Sequence, residues 1–591
     1  MYTITLTYPG LLPHRSINDI GYRSSDIPCR KLAIGWYQQC QNHPKCKDNA
    51  TQNASNFLPD RVIDVGGKGE ELIRLHVRDQ SEIRYAPFVT LSYSWGEAES
   101  IKLSQETYPV LKSGIAARDL PKTFRNAIAL VRDIGFRFLW IDSLCIFQDS
   151  VEDWQKQAYS MGQIYKRCAL SLAATSATDC NGGLFFERDP YMLQPVRVFA
   201  RWPLCDRSRP MAWYNCFIQA PYFNNIMASH LNTRGWVVQE RLLPPRILHC
   251  SKRELVWECN EMIATETFPE GILAGRDHNP TDRLVQLLAS MPSERGQDEV
   301  HDGWLRVITQ YSECNLSREE DVLIAISGVA QEWQNALNDD YLAGLWKNCL
   351  HVGLLWYTAY GHDMDLVECV PQRPTLWRAP TWSWASVRGQ VQYSRELDPQ
   401  LFANDLDRQN IPLFDLLDWE IVSKSTSKTC QLLSASIKLR GNLLHASVDF
   451  TNTWFPDCNI SFMSRHGPGS RRVRFDIDGY IYSGEVHFDY PDTVSELAAV
   501  SDAEILCLPL LLLQLSPRGS SRGHSEGGFT IEGIVLDLSE DSTKATYERI
   551  GHFRISTLQE SPQNRNDVSD RPWEGFAQFL NSQSSIDLTI V

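Results

Sequence analysis

Positive charge is in short supply: 57 lysines and arginines stand against 72 aspartates and glutamates, a net charge of −15. Broad binding along a nucleic acid needs the opposite balance and is not expected. Long apolar runs are missing too. The longest clean one, Ile505 to Leu513, contains Pro509 and falls far short of the roughly 20 residues that cross a bilayer. Met1 to Arg15 has no charged stretch followed by an apolar one, so no secretory signal is expected. No internal repeat with a period of roughly 20–50 residues is evident. The Gly66-Gly67-Lys68-Gly69 cluster lacks phosphate-loop spacing and reads as a turn. The 16 cysteines are scattered through 591 residues, which suits reduced thiols rather than a disulfide framework. These absences lead to the expectation of a soluble, cytoplasmic protein with no membrane span and no nucleic-acid partner.

What is present suits a large folded chain. Hydrophobic residues make up 43% and charged residues 22%, and the 18 tryptophans offer many large packing sites. The length accommodates roughly two to four domains. Phe88 to Tyr93 is apolar and β-branched and reads as a buried strand, broken at Ser94-Trp95-Gly96. Asp119 and Pro121 open a helix with Leu120, Phe124, Ile128 and Val131 on one face, and Gly135 closes it. Phe136 to Ile141 is a second apolar strand, ending in Asp142. Strand, helix and strand at this spacing build parallel sheet. The pattern recurs: Asp149 to Asp153 opens a helix carrying Trp154, Ala158, Met161 and Ile164, and Ala169 to Thr175 reads as a third strand. Further on, Arg234 to Leu243 reads as helix until Pro244-Pro245, and Ile247 to Cys250 and Leu255 to Cys259 read as strands. The expected fold is α/β, an open parallel sheet of about five strands.

Four regions follow. Residues 1–84 form an N-terminal segment, with two short strands in 61–84, and residues 85–270 hold the α/β module. Residues 271–390 read as a helical extension, with helices over Trp304–Ser312, Glu319–Ala330 and Tyr341–Tyr357, ending in Trp382-Ser383-Trp384-Ala385-Ser386-Val387. Residues 391–591 alternate like strands, as in Ile437 to Leu443, Arg472 to Phe475 and Ile531 to Leu536, with a Ser/Gly/Arg loop at 516–528. Their role is not readable from any motif.

Three ordered blocks resemble the fungal heterokaryon-incompatibility (HET) domain family. They are Leu91-Ser92-Tyr93-Ser94-Trp95-Gly96, the stretch from Leu120-Pro121-Lys122-Thr123-Phe124 through Leu139-Trp140-Ile141-Asp142 to Tyr165, and Arg234-Gly235-Trp236-Val237-Val238-Gln239-Glu240-Arg241-Leu242-Leu243. Ser94 departs from the pattern, since the family more often has cysteine there. The resemblance implies a role in vegetative incompatibility and programmed cell death in non-self recognition. It also implies a distant likeness to TIR domains, flavodoxin-like modules of which some cleave NAD. On that basis self-association and an allelic or non-self partner are expected, no cofactor is required, and NAD is the candidate substrate. The alternative is a non-catalytic interaction module that nucleates a death-inducing assembly.

Ligands of open parallel sheets bind beyond the carboxyl ends of the strands. Ser92, Trp95, Gly96 and Asp142 lie there by this reading, and Trp236 and Glu240 share a helix face at i and i+4. The Trp236–Glu240 segment resembles the one that carries the catalytic glutamate of NAD-cleaving TIR domains. One carboxylate suffices for that reaction because the nicotinamide leaving group is already cationic, whereas ordinary glycoside hydrolysis generally uses two. Glu240 is the catalytic candidate. Ser92, Trp95, Gly96, Asp142, Arg234 and Trp236 are the ligand-binding candidates, with the tryptophans as stacking platforms and Arg234 facing a phosphate.

Plainer readings stand beside these. Glu240 and Arg241 can form an ion pair, Asp142 can hold backbone amides, the tryptophans can be core, and Ser92 and Ser94 can satisfy a turn. Cys145 reads as an inert buried thiol. Cys40, His43 and Cys46 offer three ligands where a structural zinc site takes four, so packing with Trp36 is expected there and no metal.

Overall fold

The computed structural model describes residues 4–7, 20–47, 57–194, 196–200, 212–218, 226–272, 294–358, 370–393, 409–424, 431–449, 470–477, 480–490, 492–493, 497, 504–515, 528–539, 546–556 and 584–591. The chain forms two bodies: Met1–Ala289 with Ala325–Val329, and Ser290–Ile324 with Ala330–Val591.

The first body is built on a nine-stranded sheet. Its strands are β1 (Arg61–Asp64), β2 (Leu72–Val77), β3 (Phe88–Ser92), β4 (Ile115–Ala116), β5 (Phe138–Trp140), β6 (Leu170–Ala173), β7 (Arg246–Cys250), β8 (Leu255–Cys259) and β9 (Ile263–Thr265). Their spatial order is β9-β8-β7-β6-β3-β5-β1-β2-β4. The central four, β5-β3-β6-β7, are parallel, with Val89 opposite both Leu139 and Leu170, and Leu248 opposite Leu172. Every residue of these four strands is buried. Sheets covered on both faces take such continuous apolar runs.

The expected parallel core is present, but the sheet is larger than expected and mixed. Antiparallel hairpins extend it on both sides, β1/β2 beside β5 and β8/β9 beside β7. Connection length explains this. A turn such as Ser251–Glu254 can join only antiparallel neighbours, while parallel neighbours need a crossover of about a dozen residues or more.

Helix α1 (Ile27–Cys40) buries Cys29, Ala33, Trp36 and Cys40. Helices α2 (Lys122–Ile134) and α3 (Val151–Arg167) are the crossovers from β3 to β5 and from β5 to β6. In α2 the apolar spacing of Phe124, Ala127, Ile128 and Val131 buries one face, and Gly135, at φ 103°, ends the helix in the left-handed region that favours glycine. In α3, Ser150 caps the start by accepting from Asp153 N at 3.2 Å. The chain runs from β3 to β5 on one side and returns past β3 to β6 on the other, so its winding reverses between β3 and β6. A six-residue helix, α4 (Val237–Leu242), precedes β7 and is shorter than the expected Arg234–Leu243. A small separate sheet joins Ile4–Thr7, Ala212–Ile218 and Val196–Ala200.

In the second body the long helix Glu294–Ser312 carries the buried Trp304, which packs on Trp333 at 5.5 Å and Trp346 at 5.4 Å between ring centres. Two expected helices are not formed. Within 319–330, of which Ala325–Val329 belong to the first body, the chain makes short 3-10 turns at Glu319–Asp321 and Ile324–Ile326, and a helix begins only at Ser327. Within 341–357 it makes a hairpin, Tyr341–Leu342 against Leu345–Trp346, and then short turns. The β-rich C-terminal expectation agrees with the structure. Six antiparallel strands close a ring in the order 504–515, 444–449, 470–477, 480–488, 546–556, 528–538 and back to 504–515. Val473, Phe475, Val486, Phe488, Ile531 and Phe553 belong to its buried apolar core. Closing the ring leaves these six strands without open edges. Of the expected loop at 516–528, all but the last residue lies outside the described residues.

Candidate functional site

The carboxyl ends of β3, β6 and β7 meet under α4. Ser92, Ala173, Thr175, Leu231, Val237, Glu240, Arg241 and His249 are among the residues lining a small recess there. It lies beside the winding reversal between β3 and β6, where open α/β sheets place their ligands.

Glu240 is the chemical centre of the recess. It is 7% exposed and Ser92, at the end of β3, is 3% exposed. The Ser92 hydroxyl donates to Glu240 Oε2. Tyr165, on α3, shares a hydrogen bond with the same carboxyl. Burial pushes Glu240 up to about 7, against the opposing pull of the Arg234 guanidinium; the Ser92 hydrogen bond also lowers it, while the nearby Asp142 carboxyl raises it. Near pH 7 the group is therefore poised between acid and carboxylate.

Asp142 begins the single helical turn Asp142–Cys145 directly after β5. Its Oδ2 accepts from Trp95 Nε1 at 2.7 Å and its Oδ1 from Ser143 N at 2.6 Å. Burial raises this carboxyl, and the hydrogen bond from Trp95, the charge of Arg234 and the hydrogen bond from Ser143 N pull it back. The Tyr93 hydroxyl in turn donates to Ser143 Oγ at 2.8 Å. Arg234 donates to the Tyr93 backbone carbonyl and sits electrostatically between the two acids.

The candidates thus separate into two groups. Ser92 and Glu240 line the recess. Asp142, Trp95 and Arg234 form an adjoining network of hydrogen bonds that holds the strand ends together. Trp236 caps the start of α4, and its ring packs edge-on against Trp154 at 6.3 Å rather than lining the recess beside Glu240. Gly96 has a φ of 60°, and a Cβ on it would collide with Asp179, so its glycine is required by the turn itself. Ser94 Oγ lies 3.4 Å from His230 Nε2.

One recess residue, His249, and its partner Glu258 had no motif to reveal them. His249 Nε2 lies 3.0 Å from Glu258 Oε2, and its Nδ1 lies 3.5 Å from Thr175 Oγ1. The His–Glu pair is nearly fully buried. It is created by the antiparallel pairing of β7 with β8, and a histidine within the apolar run Ile247–Cys250 was the only trace of it in the sequence.

No curated protein and no solved structure matches the chain. No helix among the described residues is long and apolar enough to cross a membrane. Residues 88–240, from the first residue of β3 to Glu240 itself, match the family model described as heterokaryon incompatibility protein (HET).

Proposed function

We propose that this protein triggers cell death in fungal non-self recognition and that its HET module does so by hydrolysing NAD at Glu240. The observation that carries this reading is the buried Glu240 carboxyl, held by Ser92 at the carboxyl edge of the parallel strands. The parallel strands, numbered by their order in the chain, lie 2-1-3-4, which is the flavodoxin arrangement as far as it extends and supports the TIR-like reading.

In the proposed reaction the bond between ribose C1′ and the nicotinamide nitrogen breaks. The electron pair leaves with nicotinamide, which needs no proton because it departs neutral. Ionised Glu240 stabilises the cationic ribose, and its fixed, desolvated position is what makes such stabilisation strong. Water then bonds to C1′ and gives up a proton. His249, oriented by Glu258 on the recess wall, is the base we assign to accept it.

The recess as it stands has room for little more than a water molecule, far below the roughly 300–1,000 Å³ typical of ligand sites. A nicotinamide riboside therefore requires α4 to move off the strand ends. The same observation favours a second reading, a resting module whose rearrangement nucleates a death-inducing assembly without catalysis. Expression in a fungal host separates the two. Glu240→Gln abolishes killing under the catalytic reading. Undiminished killing by a correctly folded Glu240→Gln protein contradicts it and leaves the assembly reading.

A further inference from the structure

We infer that Cys40, His43, Cys46 and Cys259 bind one zinc ion as a structural site that fastens the N-terminal segment to the end of β8. Three ligands are close in sequence. Cys40 ends α1, His43 follows the turn after it, and Cys46 lies in the short helical stretch at 44–47. The fourth comes from β8, where Cys259 is the last residue. All four ligand atoms lie within 4.8 Å of one another.

The geometry matches a tetrahedral ion. With zinc about 2.3 Å from sulfur and about 2.0–2.1 Å from nitrogen, neighbouring sulfur and nitrogen ligands stand roughly 3.6 Å apart. His43 Nδ1 lies 3.5 Å from Cys259 Sγ and 3.9 Å from Cys46 Sγ. Three cysteines and one histidine are a standard structural set for zinc, and all four positions are taken by protein. No position is left open for a substrate, so the site is structural rather than catalytic.

The surroundings are built for an anionic centre. Three thiolates around a divalent ion leave one net negative charge. Arg246, 2% exposed, donates from Nε to Cys40 Sγ at 3.1 Å and from Nη2 to the Cys46 carbonyl at 3.5 Å. A buried guanidinium needs a counter-charge, and the metal-bound thiolate supplies it. Donors of this kind orient ligating groups and tune their basicity. The ligand loop is also tied to the turn that follows β8, where Lys45 N donates to Glu261 Oε2 at 3.2 Å.

The inference does not rest on the NAD reading. Full-length protein purified anaerobically under reducing conditions is measured for metal content, then loaded with cobalt(II) in place of zinc. The expected result is one zinc per chain, and a cobalt spectrum with tetrahedral d–d bands and sulfur-to-cobalt charge transfer. Cys259→Ser and Cys40→Ser lose the stoichiometric metal, His43→Cys keeps it, and the control Cys145→Ser keeps it. Wild-type protein that holds no stoichiometric zinc and gives no tetrahedral cobalt spectrum overturns the inference, whatever the variants do. So does a disulfide among Cys40, Cys46 and Cys259 in that preparation, or full zinc retention by both Cys→Ser variants.

Discussion

Ser92 ends β3 and Glu240 lies 148 positions later in α4, yet the serine hydroxyl donates directly to the glutamate carboxyl. Both side chains are almost wholly withdrawn from water. One hydrogen bond therefore fixes an acidic group over the strand ends at which the chain reverses its winding. Holding a buried carboxyl this way costs the fold stability whenever the group is ionised, and under the proposed function it preorganises the group for catalysis.

The cost has a sign and a pH window. Glu240 moves from 4.5 in the unfolded chain to about 7 in the folded protein. Between those values the folded state binds the proton more often than the unfolded state does. Stability is thus greatest below the unfolded value and falls as pH rises towards 7. The full loss is on the order of 3 kcal/mol. Denaturant unfolding of wild type against Glu240→Gln checks it. The glutamine variant is expected to be the more stable of the two at pH 8, with the difference shrinking by pH 5. A variant less stable than wild type at pH 8 contradicts this.

Ser92→Ala keeps the carboxyl but removes the hydroxyl that aims it. Because that hydrogen bond lowers the Glu240 value, its loss raises the group further. Nicotinamide release is expected to drop by up to roughly 100-fold, the scale of a small misplacement at a reacting centre. The ionisation limb of the pH profile moves to higher pH. An unchanged limb argues that Ser92 does not position Glu240.

Asp142 acts on stability in this account. In Asp142→Ala the buried network loses the acceptor for Trp95 Nε1 and Ser143 N. Each buried donor left without a partner costs about 1–3 kcal/mol. The variant is expected to unfold several degrees below wild type and to show altered tryptophan fluorescence. Asp142→Asn, which still offers one acceptor, is expected to lose less. Wild-type stability in Asp142→Ala shows that the network does not hold the strand ends.

Much of the first body was legible because its signals are local. The apolar runs of β3, β5 and β6 and the helical spacing of α2 and α3 each sit within about twenty residues. The antiparallel flanks follow from connection length. The segment Tyr341–Trp346 was misread because Leu342, Leu345, Trp346 and Leu350 recur at helix-like intervals. Ala343 and Gly344 instead adopt positive φ, 46° and 102°, the backbone of a tight hairpin turn. Ser92 and Glu240, which the motifs singled out, meet in the recess. Trp236 was assigned to the same helix face, but it sits at the cap of a six-residue helix and turns to Trp154. His249 with Glu258, and Cys259 with the Cys40 cluster, are created by strand pairing and packing between distant segments, which no local spacing reveals.

Gly96 provides a test of the turn after β3. Its left-handed φ and its closeness to Asp179 both oppose a side chain. Gly96→Ala is expected to destabilise the protein by about 1–3 kcal/mol, read as a lower denaturation midpoint. An alanine variant with an unchanged midpoint contradicts the constraint.

The central claim is most directly tested by incubating purified full-length protein with NAD and following free nicotinamide. The account predicts that wild type releases nicotinamide and forms ADP-ribose in equal amounts, while a folded Glu240→Gln protein releases none above background. Equal release by the two proteins, or none from a wild type that kills cells, contradicts it.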